Sequence, residues 1–414
     1  MMRSMFSAVA GLRNHQVRMD VIGNNIANVN TVGFKASRVT FQDMIYELIR
    51  GASSPTESMG GNNPQQAGLG MTVRSIDTLM SQGSLESTGK STDLAIQGEG
   101  FFVLDTGEGQ AFTRVGAFDI NLQKYLVDPS TGYYVMGWMV NNNALKPGQI
   151  DTSMTPTHIS IPIGQMMIAK ATANMIFTGN LDADVPNSTV ATTDSTVYDT
   201  QGTAHHLTFS FTKSAANTWD YSIAAAGGET LAGNTGTLVF KPDGSIDLAS
   251  STINTLTVTP TGGAAAFNIT LDFSKAIQFA SDKSDIQVTY QDGFPMGVLD
   301  NFSVNVDGTI IGTFTNGMNK QLGRIALGIF GNPGGLLKAG SNLFKQSNNS
   351  GELHYSAPAT GAVGSLVSGS LEMANVDLSR EFTNMIITQR GFQANSRVIT
   401  ASDEMLQELV NLKR

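Results

Sequence analysis

Apolar residues recur every seven positions near both ends of the chain, and this limits the fold more than any other feature. Near the N-terminus Met5, Leu12, Met19 and Ile26 form one row, with Val9, Ile22 and Val29 beside it at offsets of three or four. A turn of 3.6 residues brings such positions onto one face, so residues 1–30 are predicted to form an amphipathic helix. Gly23, Asn24 and Asn25 are poor helix formers near its end, and Asn30-Thr31-Val32-Gly33 reads as its stop. Toward the C-terminus Leu371, Leu378, Met385, Phe392, Ile399 and Leu406 make a longer row, predicting a helical segment within 361–414. Four residues on from these lie Asn375, Phe382, Gln389, Ser396, Asp403 and Val410, so a two-stranded coil would carry a polar seam in half its layers. Met405, Leu406, Leu409, Val410 and Leu412 spread apolar surface around the last turns, which calls for burial on several sides. The two segments are therefore expected to pack together and against other copies of the chain. Gly391, costly within a helix by roughly 1 kcal/mol relative to Ala, marks a close helix crossing in this reading.

Between the ends the pattern becomes alternating. After 41–50, a short helix or strand, residues 51–70 are rich in Gly, Ser, Pro, Asn and Gln, and 31–70 as a whole is read as a linker or extended loop. Short strands with turns follow over 71–145 and return over 291–360, giving an inner β-domain that includes Asp93 to Ile96, a Gly98-Glu99-Gly100 hairpin turn and Phe101 to Leu104. Residues 146–290 are Thr-rich and alternate cleanly, as in His206 to Phe211 and Phe267 to Phe273, which predicts an outer sandwich or barrel. The fold class expected is a multidomain α+β chain. Paired, coiled-coil-like terminal helices enclose two nested, mainly antiparallel β-domains.

Composition narrows the function. Charged residues are only 14% of the chain and the formal net charge is -9, which argues against nucleic acid or an anionic membrane as partner. No run approaches the roughly 18 apolar residues of a membrane span, and the sparse apolar start followed by Arg13, His15 and Arg18 is unlike a cleaved signal. There is no cysteine, so thiolate metal sites, disulfides and thiol nucleophiles are out. Gly83 to Ser91 misses the P-loop spacing by one residue and precedes a strand. His205 and His206 are adjacent in an alternating segment and so face opposite ways. The pairs Asp182/Asp184 and Asp243/Asp247 read as solvated turn residues. No catalytic, cofactor or metal site is expected. Met166, Met167 and Met175 read as flexible core filler, or else as adaptable contact surface.

Three segments resemble those of bacterial flagellar rod and hook proteins. Gly23 to Lys35, with Asn24, Asn25, Asn28, Thr31, Gly33 and Phe34, is similar to the N-terminal signature of that family. Asp93 to Phe102, with Gly98, Gly100 and Phe101, is similar to a second motif, and Ala374 to Asn395, with Asn375, Val376, Asp377, Gln389 and Arg390, to the C-terminal one. Chain length favours the hook branch over the shorter rod branch. The resemblance implies a subunit exported unfolded through the flagellar type III apparatus and polymerised into a curved tube outside the cell. Torque would pass through that tube as through a universal joint. The partners implied are other copies of the chain, a rod protein, a hook cap and hook-filament junction proteins. A distal-rod protein carrying an insertion remains open as an alternative, as does a secreted β-rich adhesin or carbohydrate-binding protein; an enzyme fits least.

Overall fold

The computed structural model describes residues 2–55, 59–140, 150–361 and 363–411, and the description below is confined to them. The expected division at 145/146 and Leu412 lie outside these residues. Two terminal helices and many, mostly antiparallel, strands make a multidomain α+β fold. The chain divides into two compact units, one of Met1–Ile161, Ser303–Ile311 and Gln321–Arg414, the other of Pro162–Phe302 and Gly312–Lys320.

In the first unit, helix α1 (Met2–Ala27) and helix α2 (Leu378–Asn411) pack against each other. The segment 31–70 is more than a linker. Strand Ser37–Asp43 pairs with Met71–Thr78 along its whole length, and Tyr46–Arg50 pairs with Gln65–Gly68. Alternating Val39 and Phe41 supply the strand character that the Gly-rich stretch behind them obscured. Leu371 lies in strand Ser370–Glu372, paired with Leu85–Ser87, so the seven-residue row enters the helix only at Leu378. Val29 lies in the turn beyond α1.

The β-core of this unit centres on Phe101–Asp105, which pairs with Gln110–Thr113, Tyr134–Met139 and Leu327–Ile329. Phe101, Val103, Phe112, Met136, Phe330 and Phe344 fill it, with Phe112 edge-on to Phe330 at 4.8 Å. Gly98-Glu99-Gly100 does not close a hairpin. Leu94–Gln97 pairs instead with Ser365–Ser368, so the glycines carry the chain from one sheet to another. Gly98 has φ 113°, and a Cβ there would lie 2.9 Å from Gly364 Cα, so close backbone approach requires glycine at this position.

The second unit is a sandwich. Val190–Tyr198, Ala204–Ala215, Thr218–Ala225 and Thr235–Val239 form one antiparallel sheet. The other runs Thr230–Ala232, Leu256–Thr259, Phe267–Ile277, Asn174–Asn180, Gln287–Gln291, and its central pair, Phe267–Ile277 with Asn174–Asn180, is parallel. Strict alternation along Ala204–Ala215 puts Leu207, Phe209 and Phe211 inside, where Phe209 and Phe211 meet Phe177 and Phe273 of the facing sheet at 5.0 and 6.1 Å. Met175 belongs to this core, Met167 is half-buried and Met166 is exposed.

Asp292 ties the entrance of strand Asn174–Asn180 in place. Its carboxylate accepts from Ala173 N at 2.8 Å, Asn174 N at 2.9 Å, Asn174 Nδ2 at 3.2 Å and Lys170 Nζ at 2.9 Å. Burial pushes this carboxyl up, but the donors outweigh it and hold it at about 2. A lowered acid contributes stability above its unfolded value of about 3.9 and loses it as pH falls through the folded one. Acid titration should therefore loosen this strand as pH falls from about 4 toward about 2. Asp292→Asn should cost about 2 kcal/mol at neutral pH and abolish that acid step, read by amide exchange over 173–180.

Candidate functional site

The face α1 buries is made of small and polar residues as much as of its apolar row. Ala8, Gly11, Ile22 and Asn25 are buried, whereas Met5, Val9, Leu12, Met19 and Ile26 are half-buried. On α2 the buried residues are Thr388 and Ser402, flanked by half-buried Met385, Gly391, Asn395, Ile399 and Leu406. The second row of the seam thus lies three residues after Met385, Phe392 and Ile399. It does not lie four after, and Gln389, Ser396 and Asp403 face solvent. Close approach selects this row. A Cβ at Gly11 would lie 2.7 Å from Asn395 Nδ2, and one at Gly391 would lie 2.8 Å from His15 Nε2. Thr388 and Ser402 donate to the carbonyls of Asn384 and Val398 one turn back, so their hydroxyls enter the seam already satisfied. Burial, and then Arg18, hold the His15 imidazole below its ordinary value and so favour its neutral form in the seam.

The large apolar residues of α2 are left outside. Leu378, Phe382, Ile386, Ile387, Phe392, Val398, Met405, Leu409 and Val410 are exposed, as are Met2 and Phe6 of α1. Of the residues expected to pack the helices together or against other copies, Leu378, Phe382, Phe392 and Val410 are exposed within one chain. The helices approach most closely at Gly11 and Gly391, and α2 presents much of its apolar surface outward.

Both helices are anchored to the first unit's β-core by the three sequence motifs. Asn28 donates to Asn24 O and Thr31 to Asn28 Oδ1, which ends α1. Asn25 exchanges two bonds with the Ser37 backbone at 2.8 and 3.0 Å. Gly33 turns the chain at φ 68° and donates to Glu372 O, while buried Phe34 lies under Lys338 Nζ at 5.2 Å. Between strand Ser370–Glu372 and α2, Asn375 accepts from Ala36 N and donates to Leu79 O and Ser81 O. Asp377 caps α2 by accepting from Arg380 N, and Val376 is half-buried beside it. In the middle motif Asp93 accepts from Thr88 Oγ1 and Gly369 N, and Phe101 and Phe102 are core residues. Gln389 and Arg390 lie exposed on α2, away from this junction.

At the centre of the junction is an ion cluster that the heptad and motif reading did not single out. Glu372, with no side-chain exposure, receives Lys35 Nζ at 2.6 Å and Arg114 Nη1 at 3.4 Å. Gly83 N completes the coordination of Oε1 at 2.8 Å, so the would-be phosphate loop cradles a carboxylate of its own chain. Lys35 also donates to Ser81 O and Arg114 to Gly98 O, which offsets the extra positive charge. Burial lowers the pKa of both cations and Glu372 opposes the shift. The only hint in the sequence was Lys35 closing its motif, since its partner is 337 residues away. Among the described residues no group of three or more His, Asp or Glu side chains could hold a metal, and no helix is long and apolar enough to cross a membrane.

Known proteins match this chain over its whole length. Residues 5–35 match the family model of the flagella basal body rod protein, and 95–174 that of the flagellar hook protein FlgE/F/G D1 domain. Residues 169–294 match the flagellar basal body protein FlaE D2 domain, and 367–412 the flagellar basal body rod FlgEFG protein C-terminal. Together these define a flagellar axial subunit of the rod and hook class. The flagellar hook protein FlgE of Borreliella burgdorferi is 41% identical over 448 residues, covering 100% of both chains. The flagellar basal-body rod protein FlgG of Bacillus subtilis is 32% identical over 415 residues, again 100% of both. The crystal structure of Helicobacter pylori flagellar hook protein FlgE2 shares the fold, with a TM-score of 0.53 at 14% identity over 70% of this chain and 100% of that one. The chain belongs to the flagellar hook protein family.

Two substitutions test the site. Glu372→Gln leaves two buried cations short of their anion and should destabilise the first unit by about 3–5 kcal/mol, read by denaturant titration. Gly391→Leu should separate α2 from α1 with the β-structure intact, read as lost helical circular dichroism and lost self-association in sedimentation.

Proposed function

We propose that this chain is a structural subunit of the bacterial flagellar hook. It self-assembles into a curved, flexible tube that passes torque from the rod to the filament as a universal joint. The observation that carries this reading is the seam of the terminal helices, where small and polar residues meet inside and Phe382, Ile386, Ile387, Leu409 and Val410 stay exposed. Isolated helices of this kind are marginal, and burial against other copies supplies what the intrachain seam does not. Surfaces that differ from one another on the same subunit make heterologous contacts, which continue as an open helix when the rotation does not close. The paired helices are assigned to the inner layer of the tube. The first unit's strands are read as an inner β-domain and the second unit as an outer domain nested within it.

The outer partners follow from the family. They are a rod protein at one end, a hook cap and hook-filament junction proteins at the other, and the type III export apparatus during assembly. With 14% charged residues the outer surface has few fixed ion pairs to break as copies slide past each other, which suits a tube that bends. An adhesin or a carbohydrate-binding module would gain nothing from a pair of helices with apolar outer faces. A rod protein would form a straight, stiff tube.

Electron microscopy of the full chain beside one trimmed to residues 32–376 tests the proposal. These cuts keep Ser37–Asp43 and Glu372, so the β-core retains its ion cluster. The full chain should give curved tubes and the trimmed one folded monomers. Tubes from the trimmed chain would refute the role of the helices, and straight tubes from the full chain would favour the rod reading.

A further inference from the structure

Two adjacent histidines open strand Ala204–Ala215, and their surroundings differ. His206 is exposed, with Nδ1 3.0 Å from Thr196 Oγ1. His205 is buried between two carboxylates, its Nδ1 2.6 Å from Glu229 Oε1 and its Nε2 3.2 Å from Asp199 Oδ2. A neutral imidazole carries one N–H, so it can donate to one of these carboxylates and must turn a lone pair on the other. The imidazolium donates to both. Because the carboxylates sit on opposite ring nitrogens, the three groups do not converge on a point where a cation could bind. The Phe267 ring is centred 6.4 Å away, and among the described residues the charged groups acting on His205 are Asp199 and Glu229. Burial opposes a charge on His205, but the bonds to Glu229 and Asp199 outweigh it and raise the imidazole above its ordinary value. Both carboxyls are held below theirs despite burial, so the proton resides on the ring.

The cluster reaches a surface. Asp199 also accepts from Gln201 N and Thr203 N at 2.8 and 2.9 Å, closing the turn 199–203. Within that turn Gly202 has φ 85°, and a Cβ there would lie 2.9 Å from Ala169 Cβ and 3.1 Å from Met296 N. The turn is therefore seated on Ala169 and Met296, beside the paired residues Met166–Val298 and Met167–Gly297. Pairs Met166–Val298, Met167–Gly297 and Lys170–Phe294 keep one register, which sets Ile168 opposite Met296. These two side chains are 84% and 56% exposed, an apolar ridge on the surface of the second unit.

We propose that His205 is a proton-operated latch: when protonated it clamps the 199–203 turn to Glu229 and so fixes the seat of the Ile168–Met296 ridge, and when it loses its proton it releases one carboxylate and loosens that seat. The direction with pH follows from linkage. A histidine raised on folding contributes stability that is fully present below its unfolded value of about 6.5 and is lost as pH rises through the folded value. This is the opposite of Asp292, which acts at the acid end.

The test is amide hydrogen exchange of the full-length chain between about pH 6 and 9, corrected for intrinsic rates, together with ¹⁵N chemical shifts of the His205 ring. Protection at 166–169 and 199–203 should fall on the order of tenfold for each unit by which folding raises the imidazole. Core amides at Phe209 and Phe211 should hold. Both ring nitrogens of His205 should be protonated at neutral pH, with His206 as the ordinary reference. His205→Gln should show the loosened state at every pH, without the alkaline step. If that variant does not fold, Glu229→Gln serves instead and should lower the pH at which the ring loses its proton. A neutral His205 ring at pH 6, an unchanged ring titration in Glu229→Gln, or an alkaline step that persists in His205→Gln would each overturn the proposal.

Discussion

Glu372 is the constraint on which the rest of the first unit depends. It is fully buried and carries a charge, and a carboxylate in that position must have cations at hand. Lys35 comes from the segment just beyond α1, Arg114 from the β-core, and Glu372 itself from the strand leading to α2. Meeting this one electrostatic demand therefore fixes both ends of the chain to the same place in the β-structure. Asn25, Gly33, Asn375 and Asp377 then set the angle at which each helix leaves. A buried ion cluster is a poor source of net stability, but it tolerates few alternative arrangements, which is what an anchor for long helices needs.

Beyond the anchor the physics reverses. In the β-core, large aromatic residues are inside and polar ones outside. Along the helices, Gly11, Thr388 and Ser402 are buried as well as Ile22, while Phe382, Ile386, Ile387 and Leu409 are exposed. Small residues let two backbones approach closely and leave the larger apolar side chains of α2 exposed. In the proposed function the helix pair is an incomplete unit that other copies of the chain complete.

The second unit is complete in itself. Its two sheets enclose Phe177, Phe209, Phe211, Trp219, Tyr221 and Phe273 without help from the helices. Its titratable ties are local, with Asp292 at the entrance to one sheet and His205 at the start of a strand in the other.

Periodicity alone determined much of this. Seven-residue rows located both helices, and strict alternation at His206 to Phe211 and Phe267 to Phe273 located sandwich strands, because burial of one face writes its period into a local stretch. The same reasoning failed where the pattern was short or the partner distant. Leu371 continues the helical row numerically yet lies in a strand, and Ser37–Asp43 was hidden beside a Gly-rich stretch. The second row was expected four residues on and lies three on, since offsets of three and four fit a 3.6-residue turn almost equally. The tertiary structure decided it through steric closeness at Gly11 and Gly391. It also brought together Lys35, Arg114 and Glu372, as well as His205 and its two carboxylates. Sequence records local burial, whereas pairing across long separations depends on where the fold carries each side chain.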